Sequence, residues 1–439
     1  MIKIISLNLL LVSIWAFFVS KESARPDQLS DIPMCSPIQK ANVSSWSGAD
    51  VFPGYPPAPA TASVFEPDTT KNYTMPLLTP APKGEIMLSW TEKDAEGVTS
   101  FCLAFSKDNG HTFSDKKVIF TGPGVGNSRL MRARVLVKPD GSLVAVFANR
   151  TSAPAGDAGG GKSRGGRSSD IVYCLSNDNG GTWTSPQAVD SDPTRGIVRG
   201  FFDALVLPDG EIAVAYLKDV ANSTKHEERD LRLVVTKNGV FQPEKVIDPV
   251  VCDCCNIDLL TDAAGALHVY YRDNNDDIRD MAQMISTDNG ATFSRPQILY
   301  NDGWKISGCP HSGAVSGLHG KGELIAWYSG AETEAGIRLV TGAGKKLLVL
   351  TEPSAKNHWL TAGSPELSAL LWEENAAGSD QTHLVFRKIK GDAVSETSSV
   401  EGTENAANPT GLILGEQLLI AHEVKQGKRN SLKIMTTPL

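Results

Sequence analysis

The chain has 439 residues, of which 21% are charged, and a formal net charge of −8. It contains no long basic or acidic run, so neither nucleic acid nor a charged membrane surface is expected as a partner. The 40 glycines and 25 prolines supply many turns, and closed all-β folds of this length often form one domain.

The first residues predict export. Lys3 precedes an apolar stretch from Ile4 to Ser20 that only small polar residues interrupt, and this layout is typical of a secretory signal. Small residues at Ser23-Ala24 favour cleavage, whereas Glu22 does not. Residues 1–24 are therefore predicted to be a signal peptide or an N-terminal membrane anchor. The protein is expected in the periplasm or outside the cell, and it would contact a membrane only through that anchor.

The pattern changes after residues 25–70, a segment rich in Pro, Ala and Ser. From residue 71 to 439, strands rich in β-branched and aromatic residues follow Gly-containing turns at a regular spacing. Units of this kind bury both faces of their small sheets when they stack radially, so residues 71–439 are predicted to form one β-propeller. The turns are Lys83-Gly84, Asp140-Gly141, Asp209-Gly210, Ala264-Gly265 and Lys321-Gly322, with weaker counterparts near Pro365 and Gly415.

An eight-residue motif, Ser-x-Asp-x-Gly-x-Thr followed by Phe or Trp, occurs three times. Each copy lies between two strand-like runs and predicts a hairpin turn, in which the Asp accepts hydrogen bonds from turn N–H groups and the Gly adopts a positive φ. The copies are Ser106–Phe113 with Asp108 and Gly110, Ser176–Trp183 with Asp178 and Gly180, and Ser286–Phe293 with Asp288 and Gly290; a fourth, eroded copy is Thr236–Phe241.

These copies resemble the Asp boxes, or BNR repeats, of sialidase-like β-propellers. The resemblance implies an all-β fold that usually has six blades, whereas the Gly-containing turns number seven. The sequence therefore predicts a sialidase-like β-propeller of six or seven blades. Because the motif closes a hairpin and is not a catalytic group, it indicates the fold and not the reaction.

The resemblance also implies glycoside hydrolysis, and the residues test that implication. Sialidases grip a substrate carboxylate with three arginines, and they use a Tyr/Glu pair as nucleophile and an Asp as acid/base. The first arginine belongs to a Phe/Tyr-Arg-Ile-Pro signature, and the matching stretch here is Tyr73-Thr74-Met75-Pro76. Thr74 stands at the arginine position, so one third of the carboxylate grip is missing.

Other charged and aromatic residues are expected at the rim of the central channel, beside the inner or second strands. Arg272, Asp273 and Tyr328 are predicted as catalytic residues. Tryptophan rings at the rim would stack on sugar rings, and the ligand that this composition predicts is a carbohydrate or a small anion. The predicted ligand-binding residues are Arg132, Arg199, Asp203, Trp304 and Glu373.

The cysteines form an unusual local group. Cys252, Cys254 and Cys255 occur as Cys-Asp-Cys-Cys, and Cys309 lies two residues before His311 one repeat later. Each group precedes a predicted innermost strand, so the two groups are expected at the same rim in adjacent blades. Two disulfides, a Cu(I) or Zn²⁺ site and a catalytic thiol all fit these residues. Cys102 and Cys174, inside predicted strands, are expected in the core.

Two functions follow from the sequence. One is an exported, sialidase-like propeller that binds a glycan at the channel face, with hydrolysis left open; it requires no cofactor. The alternative is a non-catalytic binding or metal-handling propeller, organised around Cu or Zn at the cysteines.

Overall fold

The computed structural model describes residues 65–152, 167–194, 197–220, 228–364 and 366–439. The predicted signal peptide or anchor, residues 1–24, and most of the segment 25–70 lie outside these ranges. Within them, no helix has the length and apolar character needed to cross a membrane.

The described chain forms seven antiparallel sheets, which are the blades of a propeller. Blade 1 contains β1 (Asn72–Pro80), β2 (Ile86–Lys93), β3 (Thr99–Ser106) and β4 (Lys117–Gly122), with a 3-10 turn at Pro82–Gly84. Blade 2 contains β5 (Val125–Gly126), β6 (Arg134–Val137), β7 (Leu143–Ser152), β8 (Arg167–Ser176) and β9 (Gln187–Ala188). Blade 3 contains β10 (Arg199–Val206), β11 (Ile212–Asp219), β12 (Arg229–Lys237), β13 (Val240–Phe241) and β14 (Lys245–Val251).

The remaining four blades follow in chain order. Blade 4 contains β15 (Asp258–Thr261), β16 (Leu267–Arg272), β17 (Met281–Ser286) and β18 (Gln297–Ile298). Blade 5 contains β19 (Val315–His319), β20 (Gly322–Ser329), β21 (Gly336–Thr341) and β22 (Lys346–Leu350). Blade 6 contains β23 (Lys356–Ser364), β24 (Leu367–Asn375), β25 (Thr382–Lys390), β26 (Ala393–Val394) and β27 (Ser398–Ser399). Blade 7 contains β28 (Ala406–Leu414), β29 (Gln417–Gln426) and β30 (Arg429–Pro438).

The predicted Gly-containing turns among the described residues each lie between two paired strands of one blade, and the blade count is the higher of the two numbers predicted from the sequence. The inner strands β6, β10, β15, β19, β23 and β28 contact one another in that order, and β28 contacts β1. The ring is therefore closed between the first and last blades. The predicted sialidase-like β-propeller is confirmed, with seven blades.

The hydrophobic core lies between the blades. Seven apolar clusters fill the seven junctions, one cluster for each pair of neighbouring blades. At the junction of blades 7 and 1, for example, Leu88 and Trp90 of β2 pack with Leu419 and Ala421 of β29. Because the middle strands of each blade are apolar on both faces, radial stacking removes both faces from water.

The three Asp boxes adopt one hydrogen-bond pattern. In the first box, Asp108 Oδ1 accepts from Ser106 Oγ and from Thr112 N, each at 2.8 Å, and Ser106 Oγ accepts from Gly110 N at 2.8 Å. The boxes of Asp178 and Asp288 repeat these bonds. The carboxylate thus holds the hairpin turn closed, as the sequence predicted.

The eroded copy keeps the turn without its own Asp. Asn238 and Gly239 have positive φ values of 52° and 75°. Glu211, from the end of the preceding hairpin turn, accepts from Asn238 N at 2.7 Å and from Gly239 N at 3.1 Å. A carboxylate from the neighbouring hairpin turn therefore replaces the missing Asp.

The Asp boxes also pack blade against blade. Gly110 has a φ of +85°, and a Cβ atom there would lie 2.6 Å from Leu419 Cδ2 of blade 7. Gly290 has a φ of +82°, and a Cβ atom there would lie 2.9 Å from Leu233 Cδ2 of blade 3. Glycine is required at these positions both by the backbone and by the adjacent blade.

Gly110→Ala is expected to destabilise the protein more than Gly141→Ala does. Both glycines have a φ near +85°, but a Cβ atom at Gly141 would meet nothing within 4 Å. The left-handed conformation costs both variants about 1–2 kcal/mol, and the clash with Leu419 adds about 1–3 kcal/mol to Gly110→Ala alone. Urea unfolding of the two variants measures the difference. Equal losses would contradict the packing role of the Asp box.

Candidate functional site

A cavity of about 290 Å³ lies on the central channel. Residues of β10, β15, β19, β23 and β28 line it, together with residues 129–134 of blade 2. Arg134 is the first residue of β6, so six inner strands border one space. Side chains far apart in the sequence meet there.

Blade 2 contributes a loop to this cavity. Its inner edge is split into β5 and β6, and the residues between them turn back through paired backbone bonds of Ser128 and Met131. Asn127 Oδ1 closes the loop by accepting from Ala133 N at 3.0 Å. The loop is held tightly enough to place its side chains against the channel.

Three arginines from this loop and the start of β6, namely Arg129, Arg132 and Arg134, line the cavity. Arg129 and Arg132 each donate a hydrogen bond to a backbone carbonyl outside blade 2, at 2.8 and 2.7 Å. Arg134 Nε donates to Asp203 Oδ1 at 2.6 Å. Burial and the charge of Arg134 lower the pKa of Arg132 to about 9, so its guanidinium still carries a charge at pH 7.

Strained bulges shape the other walls. β1, β10, β23 and β28 each change register near their start. At each break one residue other than glycine has a φ between 51° and 55°. Bulges redirect side chains, and such strain is concentrated at functional sites. The four residues are Met75, Phe201, Asn357 and Asn408, of which the last two line the cavity.

Buried glutamates of the second strands hold these bulges. Glu423 Oε1 accepts from Met75 N at 2.8 Å and from Asn408 Nδ2 at 3.0 Å. Glu373 Oε1 accepts from Asn408 N at 3.2 Å and also from the side chain of Asn357. Each glutamate therefore fixes the inner strand of the next blade.

Two aspartates line the cavity in different environments. Asp203 is buried and accepts from Arg134 Nε, from its neighbour Ala204 N at 2.8 Å and from Leu259 N at 3.0 Å. Asp258 accepts from the hydroxyl of Ser316. Burial and the nearby Asp203 raise the pKa of Asp258 to about 8. At neutral pH Asp258 is therefore a protonated acid beside a second carboxyl group.

His358 and Trp359 complete the wall. His358 donates from Nε2 to Ala326 O at 3.2 Å, and burial lowers its pKa to about 4, so the ring is neutral at pH 7. Trp359 donates from Nε1 to Gly411 O, and the Arg132 guanidinium lies 5.3 Å from its ring centre. The aromatic surface of Trp359 thus adjoins Arg132.

Of the ligand-binding residues predicted from sequence, Arg132 and Asp203 line the cavity. Arg199 is buried at the junction of blades 2 and 3, where its Nε lies 2.5 Å from Asp190 Oδ2. Trp304 packs against Arg272, whose guanidinium carbon lies 4.9 Å from the centre of the Trp304 ring. Glu373 is fully buried behind the cavity wall, where it holds Asn357 and Asn408.

The predicted catalytic residues lie at the junction of blades 4 and 5. Arg272 is buried and donates to the backbone carbonyls of Ser312, Arg279 and Tyr328. Tyr328 packs edge-on against Trp304, and Asp273 accepts hydrogen bonds from the two residues that follow it. None of the predicted catalytic trio, Arg272, Asp273 and Tyr328, borders the cavity.

Sequence reasoning missed Asp258 and Arg129. Asp258 lies among apolar residues at the start of an inner strand. A single carboxylate in such an apolar run could have marked it as a candidate site residue. Arg129 shares its loop with Arg132, but nothing in the sequence showed that this loop returns to the channel.

The cysteines form a second candidate site, in the loops that join blade 3 to blade 4 and blade 4 to blade 5. Cys252 Sγ lies 3.9 Å from Cys254 Sγ and 3.6 Å from Cys255 Sγ, and the three atoms lie within 4.8 Å of one another. Cys254, Cys309 and His311 form a second group within the same limit. The structure therefore brings together the two cysteine groups that the sequence placed in adjacent blades.

The environments of the described cysteines differ. The buried cysteines, Cys102, Cys174, Cys252, Cys254 and Cys255, form no disulfide within the described residues. Burial raises the pKa of Cys102 to about 12 and that of Cys174 to about 11, as befits core residues. Burial also opposes ionisation of Cys255, but hydrogen bonds from Cys252 and Cys254 and the charge of Arg272 lower its pKa overall.

A family model described as a BNR repeat-like domain matches residues 152–377, which is more than half of the chain. No curated protein matches the sequence.

Several solved structures are similar to the chain. A Dyadobacter fermentans protein of unknown function has a TM-score of 0.49 and 14% identity, over 74% of this chain and 96% of that one. A Hadza microbial sialidase has a TM-score of 0.47 and 11% identity, over 84% and 66%. A Penicillium chrysogenum α-L-arabinanase, complexed with arabinobiose, has a TM-score of 0.44 and 14% identity, over 84% and 93%. Similarity at this level carries no information on the chemistry of the cavity.

Proposed function

The chain belongs to the BNR repeat-like family, and on that premise we propose that its channel cavity binds an acidic glycan. The observation that carries the proposal is the convergence of Arg129, Arg132 and Arg134 beside Trp359 in one cavity. The predicted secretory signal supports a place for this activity in the periplasm or outside the cell.

The charges that line the cavity favour an anion. With Asp258 protonated and His358 neutral, three guanidinium groups face one carboxylate, that of Asp203. Within the described chain, Arg132 donates a hydrogen bond to a protein acceptor only from Nη1. Its Nε and Nη2 therefore remain for a ligand. Two such N–H groups match the two oxygens of a carboxylate.

The size and the polar groups of the cavity suit a sugar. A volume of about 290 Å³ lies at the lower end of the range for small-molecule sites and fits about one sugar unit. Trp359 offers an aromatic ring for an apolar sugar face. Asn408 Oδ1 is buried with no hydrogen-bond partner among the described residues, and a sugar hydroxyl would satisfy it.

The carboxylate grip differs from the sialidase pattern. Thr74, at the first arginine position of that pattern, bonds through its hydroxyl to the hydroxyl of Thr91 at 2.7 Å. The arginine loop of blade 2 would bind the carboxylate in its place. A glycan carrying a uronic acid therefore fits the proposal as well as one carrying sialic acid.

Arg132→Gln is expected to weaken binding of an acidic oligosaccharide by about 10- to 100-fold, because a charged hydrogen-bond donor is lost. Isothermal titration with an oligouronate and with sialyllactose, against neutral maltotriose, provides the measurement. Arg295→Gln changes an exposed arginine outside the cavity and should bind like the wild type. Equal binding of acidic and neutral sugars, or no effect of Arg132→Gln, would contradict the proposal.

Glycoside hydrolysis is a second candidate function, and the raised pKa of Asp258 favours it. A carboxylic acid that stays protonated at pH 7 can donate its proton to the oxygen of a leaving group. Asp203 would supply the second carboxyl group, close enough to Asp258 to raise its pKa. In this scheme Arg134 holds the charge of Asp203, and Ser316 orients Asp258.

A further inference from the structure

The loop that joins blades 3 and 4 carries a site that the glycan proposal does not use. The thiols of Cys252, Cys254 and Cys255 are each less than 4% exposed and adjoin one another. We propose that these three thiolates bind one Cu(I) ion. None of the three cysteines borders the channel cavity, so this proposal stands independently of the glycan.

The spacing of the sulfur atoms suits a single ion. Metal–thiolate bonds of about 2.3 Å place sulfur atoms about 3.8–4.0 Å apart around a tetrahedral or trigonal ion. Cys252 Sγ is 3.6 Å from Cys255 Sγ and 3.9 Å from Cys254 Sγ. These two separations are close to the distances that a bound ion requires, and the sulfurs of Cys254 and Cys255 lie within 4.8 Å of each other.

The number of donors favours Cu(I) over Zn²⁺. Among the described residues, the donors that lie mutually within 4.8 Å form groups of three, and Cys309 and His311 join only Cys254. Structural Zn²⁺ takes four ligands in a tetrahedron, whereas thiolates select Cu(I), a soft ion. Three buried thiolates match the softer ion, since no fourth described donor lies within 4.8 Å of all three sulfurs.

Buried positive charge adjoins the sulfurs. Arg279 is 1% exposed, and its positive charge interacts with Cys252. Its Nη1 lies 4.0 Å from Asp253 Oδ1, beyond hydrogen-bond distance. Arg272, also 1% exposed, faces Cys255. Three thiolates around one Cu(I) carry a charge of −2, and two guanidinium groups offset it in a site that excludes water.

An exposed pair of ligands leads to the buried sulfurs. Cys309 and His311 are exposed and lie within 4.8 Å of Cys254. His311 donates from Nδ1 to the carbonyl of Cys309 at 3.0 Å, which leaves Nε2 with its lone pair. Metal-binding histidines are commonly oriented by such a bond. Copper would enter at this outer pair and pass to the inner thiolates through Cys254.

The experiment titrates the full-length, reduced protein with Cu(I) under anaerobic conditions, in competition with a chromophoric Cu(I) chelator. One Cu(I) per chain is expected to resist the chelator and to protect Cys252, Cys254 and Cys255 from alkylation. Cys255→Ser should lower the affinity by at least about 100-fold, because the ion loses one of three ligands. Cys102→Ala removes a buried thiol elsewhere and should retain the ion.

Thermal unfolding without copper shows whether Cys255→Ser folds. The exposed double variant Cys309→Ser with His311→Ala provides a second test that spares the buried sulfurs. It should take up Cu(I) about 10-fold more slowly and reach the same stoichiometry.

Three results would overturn the proposal. One is that the cysteines become open to alkylation only after a reductant is added, whether or not copper is removed, because they are then joined by disulfides. Another is equal Cu(I) affinity in Cys255→Ser and the wild type. The last is Zn²⁺ bound in preference to Cu(I) at equal concentration.

Discussion

Replacing Arg272 by Met is expected to lower the free energy of unfolding by about 3–5 kcal/mol. The guanidinium donates to the carbonyls of Ser312, Arg279 and Tyr328, which join blades 4 and 5, and it covers the ring of Trp304. Met fills a similar volume but donates no hydrogen bond, so three carbonyl groups at this junction lose their donors. Urea unfolding monitored by tryptophan fluorescence measures the loss.

A matched control and a second readout separate a structural role from a catalytic one. Arg295→Met removes an exposed arginine and should change stability by less than about 0.5 kcal/mol. The folded fraction of Arg272→Met should still bind the acidic glycan as the wild type does. Lost binding with unchanged stability would place Arg272 in the binding site instead.

The sequence led to Arg272 because a charged residue beside an inner strand was expected to face the channel. Whether it does so depends on the strand register. In β16 the side chain turns toward the neighbouring blade, where backbone carbonyls of the loop before β19 and of β20 surround it. The register of a strand depends on how it packs against the neighbouring blade. A local sequence pattern does not reveal that packing.

The fold was more predictable because its signals are local. Asp108 and Gly110 lie within one eight-residue turn, and the bonds that hold the turn join residues at most four positions apart. The seven Gly-containing turns likewise mark the hairpin at the start of each blade. Repetition of a local signal, rather than its strength in one copy, predicted the propeller.

The cavity was less predictable because it joins distant segments. Arg132, Asp258 and Asn408 come from blades 2, 4 and 7, and the bulges that aim Asn357 and Asn408 are fixed by Glu373 and Glu423 in their second strands. A strand pattern predicts which residues alternate, but it does not predict where a bulge interrupts the alternation. Arg132 and Asp203, which the sequence predicted as ligand-binding residues, line the cavity, whereas Arg199, Trp304 and Glu373 do not.

Asp258→Asn is expected to stabilise the protein at pH 9 by about 2–4 kcal/mol and to change its stability little at pH 4. The pKa of Asp258 is about 8 in the folded protein, raised from 3.8 by burial and by Asp203. Between these values the folded state holds a proton that the unfolded state has released, so wild-type stability falls as the pH rises through this window. Above pH 8 the partly buried carboxylate is charged, so the full cost of the raised pKa applies. Asn keeps the shape and an acceptor for Ser316 but never ionises.

Urea unfolding at pH 4, 7 and 9 provides the measurement, with Asp380→Asn, on an exposed turn, as the control. If the free energy of unfolding depends on pH in the same way for Asp258→Asn and the wild type, the pKa of Asp258 is not raised. The proposal that Asp258 donates a proton would then be wrong. If the donor is correct, hydrolysis of an acidic glycoside declines as the pH rises through about 8, because the acid is then ionised. Asp258→Asn would then bind the glycan and fail to cleave it, since the amide fills the cavity wall but has no proton to donate.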